Sequence, residues 1–289
     1  GVKGAARPLL ADHEVVSLPS ASTLAVLRRE LAARAPAQEA VAVIADPVFD
    51  AHDPRVLGRG APVPAPAPEP EKAKEKPSEP IGVAMLTRSA GDLGVQHFER
   101  LGGTREEATE IVRLAGKEHA LLALDFDANL ATARDGQLAK YRLVHFATHG
   151  LLDSQHPELS GLLLSTVDAH GRAQDGFLQL RDVYGLRLAA DLVVLSACQT
   201  ALGAQVWGEG VVGLVRGFMY AGAPRVVASS WRVPDRATAA LMKRFYEGML
   251  ARKLTPAAAL REAQLALWKS RKFSAPRDWA GFTLQGEWR

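Results

Sequence analysis

Short runs of consecutive apolar residues alternate along this chain with longer stretches in which apolar positions recur every three or four residues. Val41–Ala45 (VAVIA), Ala120–Leu124, Tyr141–Gly150 (YRLVHFATHG), Asp191–Thr200 (DLVVLSACQT) and Arg225–Trp231 (RVVASSW) belong to the first kind. Their apolar, β-branched character predicts strands covered on both faces, as in parallel sheets. His13–Ser17 and the terminal WAGFTLQGEW read as further strands, and Leu159–Ser165 and Phe177–Leu180 as shorter, edge-like ones. The helical period predicts a helix over Thr23–Arg34, with Leu24, Leu27 and Leu31 on one face and Ser22 as its N-cap. Further helices are expected over Thr104–Ala115, capped by Thr104, over Val211–Ala221, over Asp235–Leu250, capped by Asp235, and from Thr255 to about Lys269. This order predicts an α/β three-layer sandwich with a central, mostly parallel sheet flanked by helices.

One stretch breaks the pattern. Residues 61–80, APVPAPAPEPEKAKEKPSEP, hold seven prolines, many charges and no aromatic residue. A segment of that composition buries too little surface to offset its ordering entropy, so an extended, mobile insert within a single domain of 289 residues is expected. Over the whole chain, 47% apolar and 23% charged residues give an ordinary globular balance. The net charge is +3, but basic residues are scattered and do not interleave with aromatics, which argues against nucleic-acid binding. A single cysteine excludes an internal disulfide framework and fits a reducing, cytoplasmic setting. No apolar run approaches the roughly 18 residues of a membrane span, and no signal peptide is visible, so no membrane association is expected. The chain begins at Gly1 rather than Met, and we expect it to be a piece of a longer protein.

Two of the predicted strands end in reactive groups. In open α/β sheets, chemistry gathers at the carboxyl ends of the strands. Cys198 sits at the end of one, behind the small residues Ser196 and Ala197, and His149 sits at the end of another, followed by Gly150. A cysteine and a histidine suffice for thiol nucleophilic catalysis. Caspases carry a Q-A-C signature with the catalytic histidine about 50 residues upstream, and here Ala197-Cys198-Gln199 lies 49 residues after His149. Gly150 allows close backbone approach and offers an N–H to an oxyanion. His145 lies four residues earlier on the same face and reads as a core histidine bonded to backbone. A zinc site built on His145 and His149 would need a helix and a third ligand, so neither a metal nor another cofactor is expected.

HFATHG, LVVLSACQTALG, GEGVVGLVRGFMYAGAPRVVASSW and WAGFTLQGEW resemble the CHAT domain, a caspase-like domain found with TPR repeats. The resemblance implies a caspase/separase-type fold, a Cys–His peptidase dyad of Cys198 and His149, a protein substrate, and an upstream TPR-type sensor or regulatory partner. Two features depart from the family pattern. Ser230 precedes Trp231 and Pro234 precedes Asp235 where the family shows S-L-W and x-V-D-D, and the Pro-rich insert is extra. The first departure falls where the specificity pocket is expected. Asp235 is the first candidate for a carboxylate there and Glu209 the second, favouring a basic residue before the scissile bond. Trp231 and Arg232 lie in the same stretch, and Arg232 would instead receive an acidic residue. Pairing of Arg232 with Asp235 would leave the pocket neutral. The leading expectation is a regulated cysteine endopeptidase. The alternatives are a catalytically silent scaffold or partner-binding module, or another thiol hydrolase or acyltransferase.

Overall fold

The computed structural model describes residues 7–18, 20–56, 98–152, 159–196, 198–199 and 209–288, and among the first residues of the last two stretches, 198–199 and 209–211, the backbone alone. The Pro-rich stretch at 61–80 lies outside them. Seven strands make the central sheet, in the order β1 (Val16–Ser17), β11 (Phe282–Gly286), β10 (Arg225–Ser229), β8 (Leu192–Leu195), β4 (Tyr141–Ala147), β2 (Glu39–Pro47) and β3 (Ala120–Asp125). The five strands from β10 to β3 run parallel. β11 is antiparallel to β10 and parallel to β1.

Period-two alternation sorts the buried strand residues onto two faces. On β4, Val144 and Phe146 join one core with Ala42, Ile44, Val193 and Leu195. That face is covered by α3 (Leu130–Arg134), α4 (Leu180–Gly185) and α5 (Glu209–Tyr220). Leu143 and Ala147 join the opposite core with Val41, Val43 and Val194. There the cover is α2 (Gly103–Ala115), α6 (Asp235–Tyr246) and α7 (Pro256–Trp268). The expected sandwich is what the chain forms.

The two reactive strands do not run through as single elements. Each breaks before its tip, and the tips enter a second sheet with the order β7 (Phe177–Gln179), β6 (Gly161–Leu163), β5 (His149–Leu151) and β9 (Cys198–Gln199). β5 pairs in parallel with β9 and antiparallel with β6. Leu159–Ser165 and Phe177–Leu180 therefore contribute to this small sheet and not to the edge of the large one. The register survives the break. His145 faces Val194 in the central sheet and His149 faces Cys198 in the small one, an offset of 49 residues in both.

Helix ends differ from the sequence reading in four places. α1 (Ala21–Ala33) is capped by Ser20, whose extended backbone lets its hydroxyl accept from the Thr23 N–H at 3.0 Å, and not by Ser22. α2 has Gly102 at its cap, while the Thr104 hydroxyl donates to the Leu101 carbonyl at 2.7 Å. Asp235 is the first residue inside α6, with Pro234 at the cap, so its carboxylate meets the positive end of the helix without bonding to it. The predicted 235–250 helix ends as an α-helix at Tyr246 and continues as a π-helical turn, Glu247–Ala251. Gly248 permits this turn to lie against α7, since a Cβ there would stand 2.9 Å from the Ala259 methyl.

Candidate active site

His149 opens β5 and is 4% exposed. Its ring packs against Phe49, with centroids 5.1 Å apart, and against Phe98, at 5.6 Å. Nε2 lies 2.7 Å from the Glu99 carbonyl. A carbonyl only accepts, so Nε2 carries the proton and donates it there. The tautomer is thereby fixed, and Nδ1 is left as the acceptor. Nδ1 is buried and has no hydrogen-bond partner among the described residues. Burial pulls this imidazole below its ordinary pKa, and Arg232 adds to the depression, while the Glu99 carbonyl and Asp235 oppose it without cancelling it. A neutral imidazole with one lone pair unused is chemically a base.

What holds Glu99 in place is an ion cluster that the sequence did not reveal. An aspartate in the left-handed region stands one residue before the end of β2, Asp46 at φ 49°, and another at the end of β3, Asp125 at φ 53°, a conformation that Asp tolerates better than bulkier residues. The buried Asp46 carboxylate accepts two bonds from Arg100, at 2.8 and 2.7 Å, and one from Arg105 at 2.7 Å. Arg55 donates to Asp125 at 2.7 Å, to Asp53 at 2.7 Å and to the Asp46 carbonyl at 2.8 Å. Burial lowers the Arg55 pKa, but the carboxylates of Asp53, Asp125 and Asp46 more than offset this and raise it. The Arg55 guanidinium in turn holds Asp53 below the usual carboxylate range. Arg100 follows Glu99 directly, so its grip on Asp46 anchors the carbonyl that orients His149. A cavity of about 260 Å³ opens beside this wall, lined by Phe49, Phe98, Arg100, Asp50, His52 and Asp53.

The remaining sequence candidates fall around this centre unequally. The backbone pairing sets His149 opposite Cys198 and Gly150 opposite Gln199 on the neighbouring parallel strand. Gly150 also faces Leu162 on β6 and makes a further interaction within the protein. Asp235 is half-buried and Arg232 exposed, and both act electrostatically on His149. No ion pair joins the two among the described residues. The Trp231 indole turns to the C-terminal segment, donating to the Arg277 carbonyl at 3.1 Å and lying against Gly281. Glu209 opens α5, and its side chain, like that of Cys198, lies outside the described residues. Sequence reasoning missed Asp46, Phe49, Phe98, Glu99 and Arg100. The one available signal was the acidic, aromatic DPVFD following β2.

Together these features define a class: a caspase-like α/β sandwich whose reactive strand tips leave the central sheet side by side. The chain belongs to the CHAT domain family, whose model matches residues 2–287. Tetratricopeptide repeat protein 28 of Mus musculus is 42% identical over 109 residues, or 38% of this chain. Its Homo sapiens counterpart is 40% identical over 113 residues, or 39%. Each match takes in 4% of the relative, so the chain spans a small fraction of the length of these curated proteins. Among solved structures, the Saccharomyces cerevisiae separase–securin complex aligns with a TM-score of 0.50 and 13% identity, over 95% of this chain and 14% of that one. At that identity the likeness is one of fold. No helix among the described residues is long and apolar enough to cross a membrane.

Proposed function

We propose that this CHAT domain is a cysteine endopeptidase with a Cys198–His149 dyad. One observation carries the reading: His149 and Cys198 are direct partners across the parallel β5–β9 pair, and His149 Nδ1 has no hydrogen-bond partner among the described residues. Partners on adjacent strands lie about 5 Å apart at the backbone, within reach of proton transfer between side chains. A free thiol has a pKa near ~8.5 and attacks as the thiolate. His149 Nδ1 takes the thiol proton, and the sulfur adds to the peptide carbonyl carbon. The backbone N–H groups of Gly150 and Cys198 stabilise the oxyanion. The imidazolium then gives its proton to the departing amine, and water, deprotonated by the same nitrogen, releases the acyl group. No metal or other cofactor enters this chemistry.

The pocket for the residue before the scissile bond is assigned to the stretch Trp231–Asp235. Asp235 is half-buried, unpaired among the described residues and electrostatically coupled to His149, which supports a preference for a basic residue. Glu209 is the second carboxylate candidate, and dominance of Arg232 would reverse the preference. An unpaired carboxylate rejects acidic side chains as well as attracting basic ones. Peptides differing at that one position separate these outcomes, and cleavage after Asp would overturn the assignment. The tetratricopeptide repeats in the names of the curated relatives support a repeat-type sensor or regulatory partner elsewhere in the longer protein. The single cysteine supports a cytoplasmic setting.

The deciding experiment is incubation with a peptide-based thiol-reactive electrophile, followed by mass spectrometry. We expect one label, on Cys198, formed much more slowly in His149→Ala. Equal labelling of the two proteins would sink the dyad and leave the scaffold reading standing.

A further inference from the structure

Beneath the dyad lies a second buried polar group that the proposed chemistry does not use. His145, on β4, is 0% exposed. Contrary to the expected backbone bonding, its partners are three side chains from three other segments. Nδ1 lies 2.9 Å from the Tyr246 hydroxyl on α6. Nε2 lies 3.2 Å from the Ser196 hydroxyl, just past β8, and 2.8 Å from Oε1 of Glu107 on α2. That short N–O distance does not make a linear hydrogen bond, because Oε1 lies off the donor axis. A carboxylate beside Nε2 favours the tautomer protonated there, so Nε2 donates to the Ser196 hydroxyl and Nδ1 is left to accept from the Tyr246 hydroxyl. Burial, and then the Glu107 carboxylate, raise the Tyr246 pKa well above its ordinary value, so this hydroxyl keeps its proton.

Stability alone gives no reason for this arrangement. Buried polar and ionic clusters are commonly matched or bettered by apolar residues of the same volume, and the surrounding face is otherwise mainly aliphatic and aromatic. Position supplies a reason. Ser196 stands two residues before Cys198, and its N–H donates to the Phe146 carbonyl at 3.0 Å, where β4 and β8 leave the central sheet. Beyond that point the strand tips are joined, among the described residues, by the short β5–β9 pairing. Glu107 and Arg105 share α2, and Arg105 and Arg100 both bind Asp46. Through Glu107 the helix holds His145, and through Asp46 and Arg100 it supports the Glu99 carbonyl that orients His149. One rigid element is the reference for both halves of the dyad.

We propose that Glu107, His145 and Tyr246 form a positioning device for Cys198, acting through the Ser196 hydroxyl and keyed to helix α2. The proposal rests on the Cys–His reading, and its test separates the two. The rate of Cys198 alkylation by iodoacetamide is measured by mass spectrometry from pH 5 to 9, alongside thermal melting, for the wild-type chain, Ser196→Ala, Glu107→Gln, Tyr246→Phe and His149→Ala. Ser196→Ala removes one oxygen and nothing else, so it decides the matter even where Glu107→Gln fails to fold. The expected result is a tenfold or greater slowing at pH 7 in Ser196→Ala, with the midpoint of the pH profile moved towards that of a free thiol. Tyr246→Phe, which leaves the Ser196 contact in place, is expected to slow alkylation less. A cluster that merely stabilises the fold would lower the melting temperature and leave rate and midpoint unchanged, and that result overturns the proposal. An unaltered profile in His149→Ala would instead remove the dyad beneath it.

Discussion

His145 and His149 lie four residues apart on one strand line, both buried, and their surroundings differ at every nitrogen. His145 has both nitrogens occupied, by Tyr246 on one side and by Ser196 and Glu107 on the other. His149 has one nitrogen occupied, by the Glu99 carbonyl, and its ring is otherwise enclosed by Phe49 and Phe98. An imidazole bonded at both nitrogens is a strut, because moving its proton breaks a buried contact. An imidazole bonded at one nitrogen and walled by apolar rings keeps a lone pair that no described neighbour uses. Chemistry is therefore assigned to the tip of the strand and support to its middle.

The largest effects should come from breaking the tip. His149→Ala is expected to cut peptide cleavage by about 10²–10⁴-fold, the usual worth of a general base. Cys198→Ala should abolish it, since the chain has no second cysteine. His145→Gln keeps an N–H for Ser196 and should lose far less. Equal losses at the two histidines in a peptide-cleavage assay would erase the distinction between them.

Next comes the support of the outer nitrogen. Asp46→Asn removes the charge that Arg100 and Arg105 share while leaving its shape. The Asp46 side chain is fully buried, so the loss should approach the roughly 3 kcal/mol typical of a broken buried pair, read as a lower urea midpoint. The His149 Nε2–H signal in nitrogen-15 NMR should exchange faster with water, whereas that of His145, held by α2 and α6, should persist.

A smaller effect is carried by pH. The folded-state pKa of His149 is depressed by burial, so as pH falls through about 6.5 the unfolded chain takes up a proton that the native one refuses. Stability should therefore decline with acidification below that point, by at most about 1.4 kcal/mol per pH unit from this residue, and be flat above it. His149→Gln should remove that slope from urea titrations at a series of pH values.

Sequence legibility followed the same division. The 49-residue spacing of His149 and Cys198 was readable because it is the register of two parallel strands, unchanged from His145 and Val194 to the tips. The apolar strands and their helical cover were readable because period-two and helical patterns are local. The break at Thr148 and the second sheet were not, because no local pattern tells that β5 leaves the line of β4 to pair with β6 and β9. Glu99 holds His149 by a backbone carbonyl, which leaves no trace in residue type. His145 looked like a core histidine, and it is one by burial. Its three partners lie on segments separated from it by up to 101 residues, and no local pattern announces them. At the helix ends, Ser20 against Ser22 and Pro234 against Asp235 show that cap position is decided by backbone angles a residue or two away.

The smallest effect concerns the outer side of α2, the helix that supports both histidines from within. Glu110 there bonds to Arg113 at 2.8 Å and pairs with Lys243 of α6 at 2.9 Å. The Arg113 contact and then Lys243 hold its carboxyl down from 4.5 to about 2. A depressed carboxylate adds stability that is present above its unfolded pKa and is lost as pH falls from about 4.5 towards 2. The shift is large, yet Arg113 and Lys243 are 59% and 53% exposed, and solvent screens such pairs strongly. Glu110→Gln should thus lower the melting temperature by only a degree or two, and less at high salt. Cys198 alkylation should not change, because the inner contacts of α2, through Arg105 and Glu107, remain. If Glu110→Gln slowed alkylation as much as Ser196→Ala, α2 would be held from its surface rather than from its buried face. The contrast between a supporting core and a working tip would then have to be redrawn around the α2–α6 seam.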